Sequence, residues 1–226
     1  MKTAALIVAG GRGTRMGGET PKQYLPVRGQ TILSRTVSVF LDAPGIHNVQ
    51  VVIGAGDRAL YDAAFSKLAN PALLPPVIGG ESRGASVVAG LKALAEDPPD
   101  RVLIHDAARP FCPESVIAGV IAALDETDGA FAAVPVVDAL WRGEGGRASD
   151  PVSRDGLYRA QTPQGFHYGK IVAAYRAADG NAADDVAIAR AAGLGVAIVP
   201  GDEANFKITT PGDMTRAERH LKDETR

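Results

Sequence analysis

The sequence predicts an α/β fold in which a mostly parallel sheet is covered by helices on both faces. Two observations carry that reading. Short apolar runs alternate with longer amphipathic stretches along the chain, which is the pattern of right-handed strand–helix–strand crossovers. The first of those runs, Ala4-Ala5-Leu6-Ile7-Val8, passes directly into a glycine-rich basic loop. A buried parallel strand behaves this way where its carboxyl end meets a ligand.

The elements follow in order. Thr31 to Leu41 reads as an amphipathic helix and Val49 to Gly54 as the second strand. Arg58 to Leu68 reads as a helix, Leu73 to Ile78 as the third strand, and Ser82 to Ala95 as a helix. Arg101 to Asp106 is the fourth strand, Glu114 to Leu124 a helix, Ala130 to Val134 the fifth strand and Gly195 to Pro200 the sixth. Asn205 to Thr209 reads as a short strand carrying one cation, Lys207. A helix then starts at Thr210-Pro211-Gly212-Asp213, with the proline in its first turn. No internal repeat or low-complexity tract appears, and residues 1–226 read as a single domain with ample chain to bury a core.

One stretch breaks the rhythm. Pro135 to Gly156 is rich in Gly, Asp, Arg and Pro, and its apolar cluster is Ala139-Leu140-Trp141. A run of about twenty residues without a clear element points to a functional excursion or a protruding arm. The only tryptophan of the chain lies in it, and exposing that side chain is costly, so an interface is the expected role.

Composition excludes several classes. A net charge of −2 gives no global pull toward nucleic acid or an anionic membrane, so any phosphate binding must come from a local cluster. The single cysteine, Cys112, excludes a disulfide framework and reads as a small buried filler beside Pro113. There is no apolar run long enough to span a membrane, and no signal or transit segment is visible at the N-terminus. Cytoplasm is the expected location.

The loop after the first strand is Ala9-Gly10-Gly11-Arg12-Gly13-Thr14-Arg15-Met16-Gly17-Gly18, closed by Pro21-Lys22-Gln23-Tyr24. Such a loop lets backbone N–H groups approach an anion closely, and Arg15 and Lys22 add charge, which together suit a polyphosphate. It is not a P-loop, because it lacks the Gly-Lys-Ser/Thr triplet. Nor is it a dinucleotide fingerprint. Met16 stands where the third glycine belongs, and Gln30 to Leu41 contains no acid for a ribose.

Four further groupings carry chemistry. Gly79-Gly80-Glu81-Ser82-Arg83-Gly84-Ala85-Ser86 is a glycine-bearing turn into a helix, with Ser82 suited to cap it and Ser86 near its start. His105-Asp106-Ala107-Ala108-Arg109-Pro110 ends a buried strand with an acid, which suits a ribose hydroxyl or a metal ion. His105 itself reads as a buried, hydrogen-bonded side chain. Asp184-Asp185 reads as acids opening a helix in preference to a metal pair. Asn205 to Thr209 contributes Lys207.

Taken together, these blocks resemble the cytidylyltransferases of the methylerythritol phosphate route to isoprenoids, over nearly the whole chain. The loop alone is shared by many nucleotidyltransferases. Pro21-Lys22-Gln23-Tyr24, His105 to Pro110, Gln161-Thr162-Pro163-Gln164 and Asn205-x-Lys207-Ile208-Thr209 narrow the resemblance. It implies a Rossmann-like domain, CTP and Mg²⁺, a polyol phosphate acceptor, and a homodimer whose arms complete each other's acceptor pocket.

By the same resemblance, backbone at Ala9, Gly10, Gly11 and Gly13 wraps the triphosphate, and Arg15 and Lys22 act on the reacting phosphate. Gly80, Glu81 and Ser86 read cytosine, with glutamate at 81 where the family often has aspartate. Asp106, with Ala107 beside it, faces the ribose and the metal. Arg109, Arg154, Thr162 and Lys207 handle the acceptor, and Lys207 is also catalytic. Arg154 is expected to reach across from the other subunit. Asp138-Ala139-Leu140-Trp141 departs from the family's Asp-Thr-hydrophobe-Lys, so the acceptor contacts of the arm differ.

The chemistry expected is in-line attack of the acceptor phosphate on the α-phosphorus of CTP. That step needs positioning and charge stabilisation and no general base. A related ribitol phosphate cytidylyltransferase and a non-catalytic nucleotide-binding module are the alternatives.

Overall fold

The computed structural model describes residues 1–11, 20–178 and 182–223. Its main sheet has seven strands. These are β1 (Thr3–Ala9), β4 (Asn48–Ile53), β5 (Val77–Ile78), β6 (Arg101–Asp106), β7 (Gly129–Pro135), β10 (Tyr158–His167) and β11 (Val196–Pro200), in the spatial order β11-β7-β10-β6-β1-β4-β5. Only β10 runs antiparallel to its neighbours β6 and β7; every other pairing is parallel. The α/β reading of the sequence therefore holds.

Strand β1 shows why the sheet is covered on both sides. Its side chains alternate between faces. Ala5, Ile7 and Ala9 pack with Leu33, Val37 and Phe40 of α1 (Ile32–Asp42) and with Ile117 and Val120 of α4 (Glu114–Ala123). Ala4 and Leu6 pack on the opposite face. Their partners there are Val87 and Leu91 of α3 (Arg83–Ala93), Ile171 and Ala174 of α5 (Tyr168–Ala177), and Ile188 and Ala189 of α6 (Asp185–Ala191). A Cβ on Gly90 would lie 2.2 Å from Leu6 Cδ1, so glycine there lets α3 settle onto the strand. Helix α2 (Arg58–Phe65) adds Tyr61 and Phe65 to the first face.

A third cluster lies off the sheet. It joins Val27 of the small ribbon β2 (Pro26–Val27) and β3 (Gln30–Thr31) to Phe111, Phe206, Ile208, and Ala217 and Leu221 of α7 (Pro211–Asp223). No helix among the described residues is long and apolar enough to cross a membrane.

Several expectations need correction. Of Leu73 to Ile78, only Val77 and Ile78 form a strand, and Leu73 makes an isolated bridge to Val49. Pro75 and Pro76 intervene and cannot donate to a ladder. Asn205 to Thr209 forms no strand among the described residues and begins in a bend at Asn205; Ile208 N donates to Ala108 O at 2.8 Å. Strand β10 was not anticipated, because Pro163 sits where its register with β7 shifts.

The stretch from 135 to 156 is also more regular than its composition suggested. It contains a hairpin of β8 (Leu140–Glu144) and β9 (Arg147–Val152) that forms its own two-stranded sheet. Gly145 and Gly146 make the turn at φ +56° and +79°, as a two-residue hairpin connection requires.

Candidate active site

The chain leaves β1 toward β4 on one side and returns to β6 on the other. A crevice opens between the carboxyl ends of β1 and β6, the usual ligand position in such sheets. Its walls come from Val8 to Gly11, Lys22 and Gln23, Gly80 to Arg83 with Ser86, Asp106 to Ala108, and Lys207 with Thr209.

The start of the glycine loop is fixed from the side. Gln23 lies in a single 3-10 turn, Lys22–Tyr24, and its amide donates to Ala9 O at 2.6 Å and Gly11 O at 3.1 Å. Gln23 is 3% exposed, so these bonds are made in the interior. The neighbouring Lys22 Nζ donates to Ile208 O at 2.7 Å, which places it against the segment that carries Lys207.

Opposite, the turn before α3 is packed through its glycines. An added Cβ would come within 2.5 Å of Ser86 Oγ at Gly79, 2.5 Å of Ala85 Cβ at Gly80 and 3.0 Å of Ser86 Oγ at Gly10. The two glycine turns thus close on Ser86, whose hydroxyl donates to Ser82 O at 3.0 Å. Ser82 caps α3 as expected, accepting from Ala85 N. Glu81 stands exposed at the rim.

Asp106 is the electrostatic centre. Lys207 Nζ lies 2.8 Å from its Oδ2, Arg83 Nε 3.3 Å from its Oδ1 and Arg109 Nε 3.8 Å from its Oδ2. Burial opposes ionisation of this carboxyl, but Lys207, Arg83 and Arg109 outweigh it and hold it well below the usual carboxylate range. Its position is set by the backbone: Asp106 N donates to Thr162 Oγ1 at 3.1 Å, and Ala107 N to Val8 O at 3.1 Å. Arg109 also donates to Asn205 O at 2.7 Å.

His105 is fully buried, as anticipated, with Nε2 3.0 Å from Arg109 O and Nδ1 3.0 Å from Thr162 Oγ1. Burial pulls its pKa down to about 4, so the ring is neutral near pH 7. Cys112 is buried and its thiol is pushed up to about 12 by burial, which fits a filler.

Asp184 behaves as a helix-opening acid, accepting from Ala187 N at 2.9 Å. Asp185 does more. It is fully buried and takes two nitrogens of Arg83, at 3.0 and 2.7 Å. The Arg83–Asp185 pair was not evident in the sequence; the only hint was a second acid beyond the one a cap needs.

A clamp on the Lys207 segment was missed as well. Asn205 Nδ2 donates to Thr162 O at 2.8 Å and Gln161 Oε1 at 3.2 Å, and Gln161 Nε2 donates to Asp202 O at 2.7 Å.

Of the expected site residues, Ala9, Gly10, Gly11, Lys22, Gly80, Glu81, Ser86, Asp106, Ala107 and Lys207 share this crevice. Arg109 packs behind Asp106, and the buried Thr162 hydroxyl serves Asp106 N and His105. Arg154 is in the arm, where its guanidinium donates to Val137 O, and it is not among the crevice residues. Gly13 and Arg15 lie outside the described residues.

A doubly covered sheet with a glycine cradle, lysines and an aspartate at its switch point is the arrangement of a nucleotide-binding α/β enzyme. The profile of the 2-C-methyl-D-erythritol 4-phosphate cytidylyltransferase family matches residues 3–223, and the chain belongs to that family. A protein of that name from Cereibacter sphaeroides is 53% identical over 221 residues, covering 98% of this chain and 97% of its own length. A bifunctional enzyme from Paramagnetospirillum magneticum is 50% identical over 96% of this chain, which spans 56% of that protein.

Solved structures agree. A 4-diphosphocytidyl-2C-methyl-D-erythritol synthase superposes with TM-score 0.83 at 30% identity, covering 97% of this chain and 99% of that one. The cytidylyltransferase of Thermus thermophilus gives 0.79 at 31% identity, over 98% of this chain and all of that one.

Proposed function

We propose that this chain joins CTP to 2-C-methyl-D-erythritol 4-phosphate, releasing pyrophosphate and forming 4-diphosphocytidyl-2-C-methyl-D-erythritol. The observation that carries the reading is the convergence of the glycine cradle, Lys22, Lys207 and the ionised Asp106 on one crevice. Ribitol phosphate is the less favoured acceptor, since relatives at 53% identity bear the methylerythritol name.

In this reaction a phosphate oxygen of the acceptor forms a bond to the α-phosphorus of CTP, and the bond to pyrophosphate breaks. Two anions must approach, so positioning and charge dominate. Backbone at Ala9, Gly10, Gly11 and Gly13 holds the triphosphate. Gly80, Glu81 and Ser86 face cytosine, and Asp106 and Ala107 face the ribose. Lys22 and Arg15 neutralise charge that grows at the α-phosphate, where fixed cations act most strongly. Lys207 and Arg109 draw in the acceptor phosphate, while Thr162 holds Asp106 in place. The acceptor phosphate is already ionised, so the buried neutral His105 is not needed as a base.

Asp106 is the carboxylate that would hold a divalent cation, which would have to take the place of Arg83 or Lys207 at one of its oxygens. It is an ionised carboxylate at the crevice wall, and among the described residues no cluster of three or more His, Cys, Asp or Glu forms an all-protein cage. A single carboxylate completed by substrate phosphates is the donor set Mg²⁺ accepts, and the bound ion supplies charge neutralisation at the phosphates.

The 135–156 arm serves dimerisation in this reading. Among the described residues its hairpin pairs with no other strand, Trp141 is 60% exposed, and Val137 is 67% exposed. An isolated two-stranded ribbon is marginal in water, so a second subunit supports it and receives Arg154 at its acceptor pocket.

The test is pyrophosphate release from CTP with a panel of polyol phosphates. Release driven by 2-C-methyl-D-erythritol 4-phosphate is expected. Faster release with ribitol phosphate overturns the acceptor assignment, and no release with any acceptor overturns the catalytic one.

A further inference from the structure

Two threonines precede the body of α7, and their hydroxyls have different tasks. Thr210 Oγ1 donates to Asp213 Oδ2 at 2.9 Å, and the same oxygen accepts from Thr210 N at 2.8 Å and Thr209 N at 2.9 Å. Asp213 N in turn donates to Thr210 Oγ1 at 3.3 Å, so Thr210 and Asp213 cap the helix between them. The cap makes no use of the Thr209 hydroxyl. That hydroxyl has one bond among the described residues, to Lys207 O at 3.3 Å, which is longer than an ordinary O–H···O bond. Thr209 stands in the crevice wall with Lys22 and Lys207.

The peptide unit that carries Thr209 is held at both ends. Its carbonyl, Ile208 O, accepts from Lys22 Nζ at 2.7 Å, and its N–H is taken by Asp213. Ile208 N is fixed as well, donating to Ala108 O at 2.8 Å. A β-branched side chain has few χ1 positions open to it, so a pinned backbone also limits where the hydroxyl can point.

We propose that Thr209 is a substrate-binding residue whose hydroxyl donates to the phosphate of the acceptor, beside Lys207. The proposal rests on the acceptor reading above, in which Lys207 draws in that phosphate, and adds to it a neutral donor of fixed position. The hydroxyl touches the main chain of Lys207, which puts it on the acceptor side. An anionic phosphate oxygen is a stronger acceptor than the carbonyl it now meets at long range.

The test is steady-state pyrophosphate release with 2-C-methyl-D-erythritol 4-phosphate, alongside calorimetric CTP binding, in T209V and T209S. Valine keeps the branched shape without the hydroxyl, and serine keeps the hydroxyl without the methyl. T209V is expected to raise the acceptor KM by about 10–100-fold, the loss of one hydrogen bond to a charged group, with CTP affinity and thermal midpoint unchanged. T209S is expected to stay near the native KM. A native acceptor KM in T209V overturns the proposal, as does an equal rise in both variants, which traces the effect to side-chain shape. Weaker CTP binding in T209V with an unchanged acceptor KM moves the hydroxyl to the nucleotide and overturns it too. If T209V fails to fold by circular dichroism, T209A carries the same expectation and the same refutation. A native protein that releases no pyrophosphate with any acceptor overturns the functional reading and the proposal with it. Native release that T209V matches overturns only the role of Thr209.

Discussion

Lys207 Nζ rests 2.8 Å from Asp106 Oδ2, joining residues 101 positions apart in the chain. One comes from the end of a central strand and the other from a segment that joins no sheet among the described residues. The pair exists because Gln161 and Asn205 fasten that segment to β10. The placing of Lys207 in the crevice therefore rests on side-chain amides and not on strand pairing.

Asp106→Asn removes the charge that three cations share. An amide is a poor ligand for a hard cation, so the magnesium requirement for CTP use should rise and turnover should fall. A magnesium titration of activity checks this. An unchanged requirement and rate would move Asp106 to a purely structural role.

Lys22→Ala should lower turnover by about 10²–10³-fold while weakening CTP binding far less, because its charge matters most as the α-phosphate becomes more negative. Steady-state rates alongside calorimetric CTP binding separate the two effects. Near-native turnover in the variant rules out the assigned role.

Gln23→Ala leaves the carbonyl of Ala9 without its amide partner and loosens the entry to the glycine loop. A buried acceptor deprived of its bond costs about 1–3 kcal/mol. The expected result is a lower thermal midpoint together with a raised KM for CTP. A variant that loses stability alone would show that Gln23 does not shape the cradle.

His105 gives a pH signature. Its folded pKa is lowered to about 4 by burial, against 6.5 in an exposed histidine. Between those values the unfolded chain binds the extra proton, so stability is full above about pH 6.5, declines as pH falls toward about 4 and then levels off. Asp106 contributes its own loss at lower pH, because its folded carboxyl is held below the ordinary carboxylate value. Thermal midpoints measured against pH should show a flatter slope between pH 6.5 and 4 in His105→Gln. An identical slope would assign the acid sensitivity elsewhere.

Arg154→Ala should raise the KM for the acceptor and spare CTP binding. Mixed with Lys22→Ala protein, it should restore activity, because a mixed dimer holds one site with both residues intact. A monomer in sedimentation, or no recovery in verified mixed dimers, counts against a shared site.

Much of this molecule was legible in the sequence. Strands β1, β4, β6 and β7 announce themselves as largely apolar runs because they are buried on both faces, and the edge strand β11 does so although Ile198 is 48% exposed. The crevice was legible too, since close approach of neighbouring atoms leaves glycines at 10, 79 and 80. Strand β10 was hidden by its proline and its polar Gln161, Thr162 and Gln164, which are buried but bonded. The hairpin hid because both its faces are largely exposed and carry no apolar alternation, although Gly145-Gly146 marked its turn. Arg83 and Asp185 lie 102 residues apart, and no local pattern signals a pairing at that distance.

The hairpin forms a sheet of its own, joined to the body through the strands that lead into and out of it. A segment attached in this way can be exchanged as one piece without disturbing the register of β7 and β10. The crevice and the hairpin are then free to change through different stretches of sequence. Substitutions such as Ala139 and Trp141 can accumulate in one while Gly10, Gly79 and Gly80 hold the other fixed by sheer lack of room.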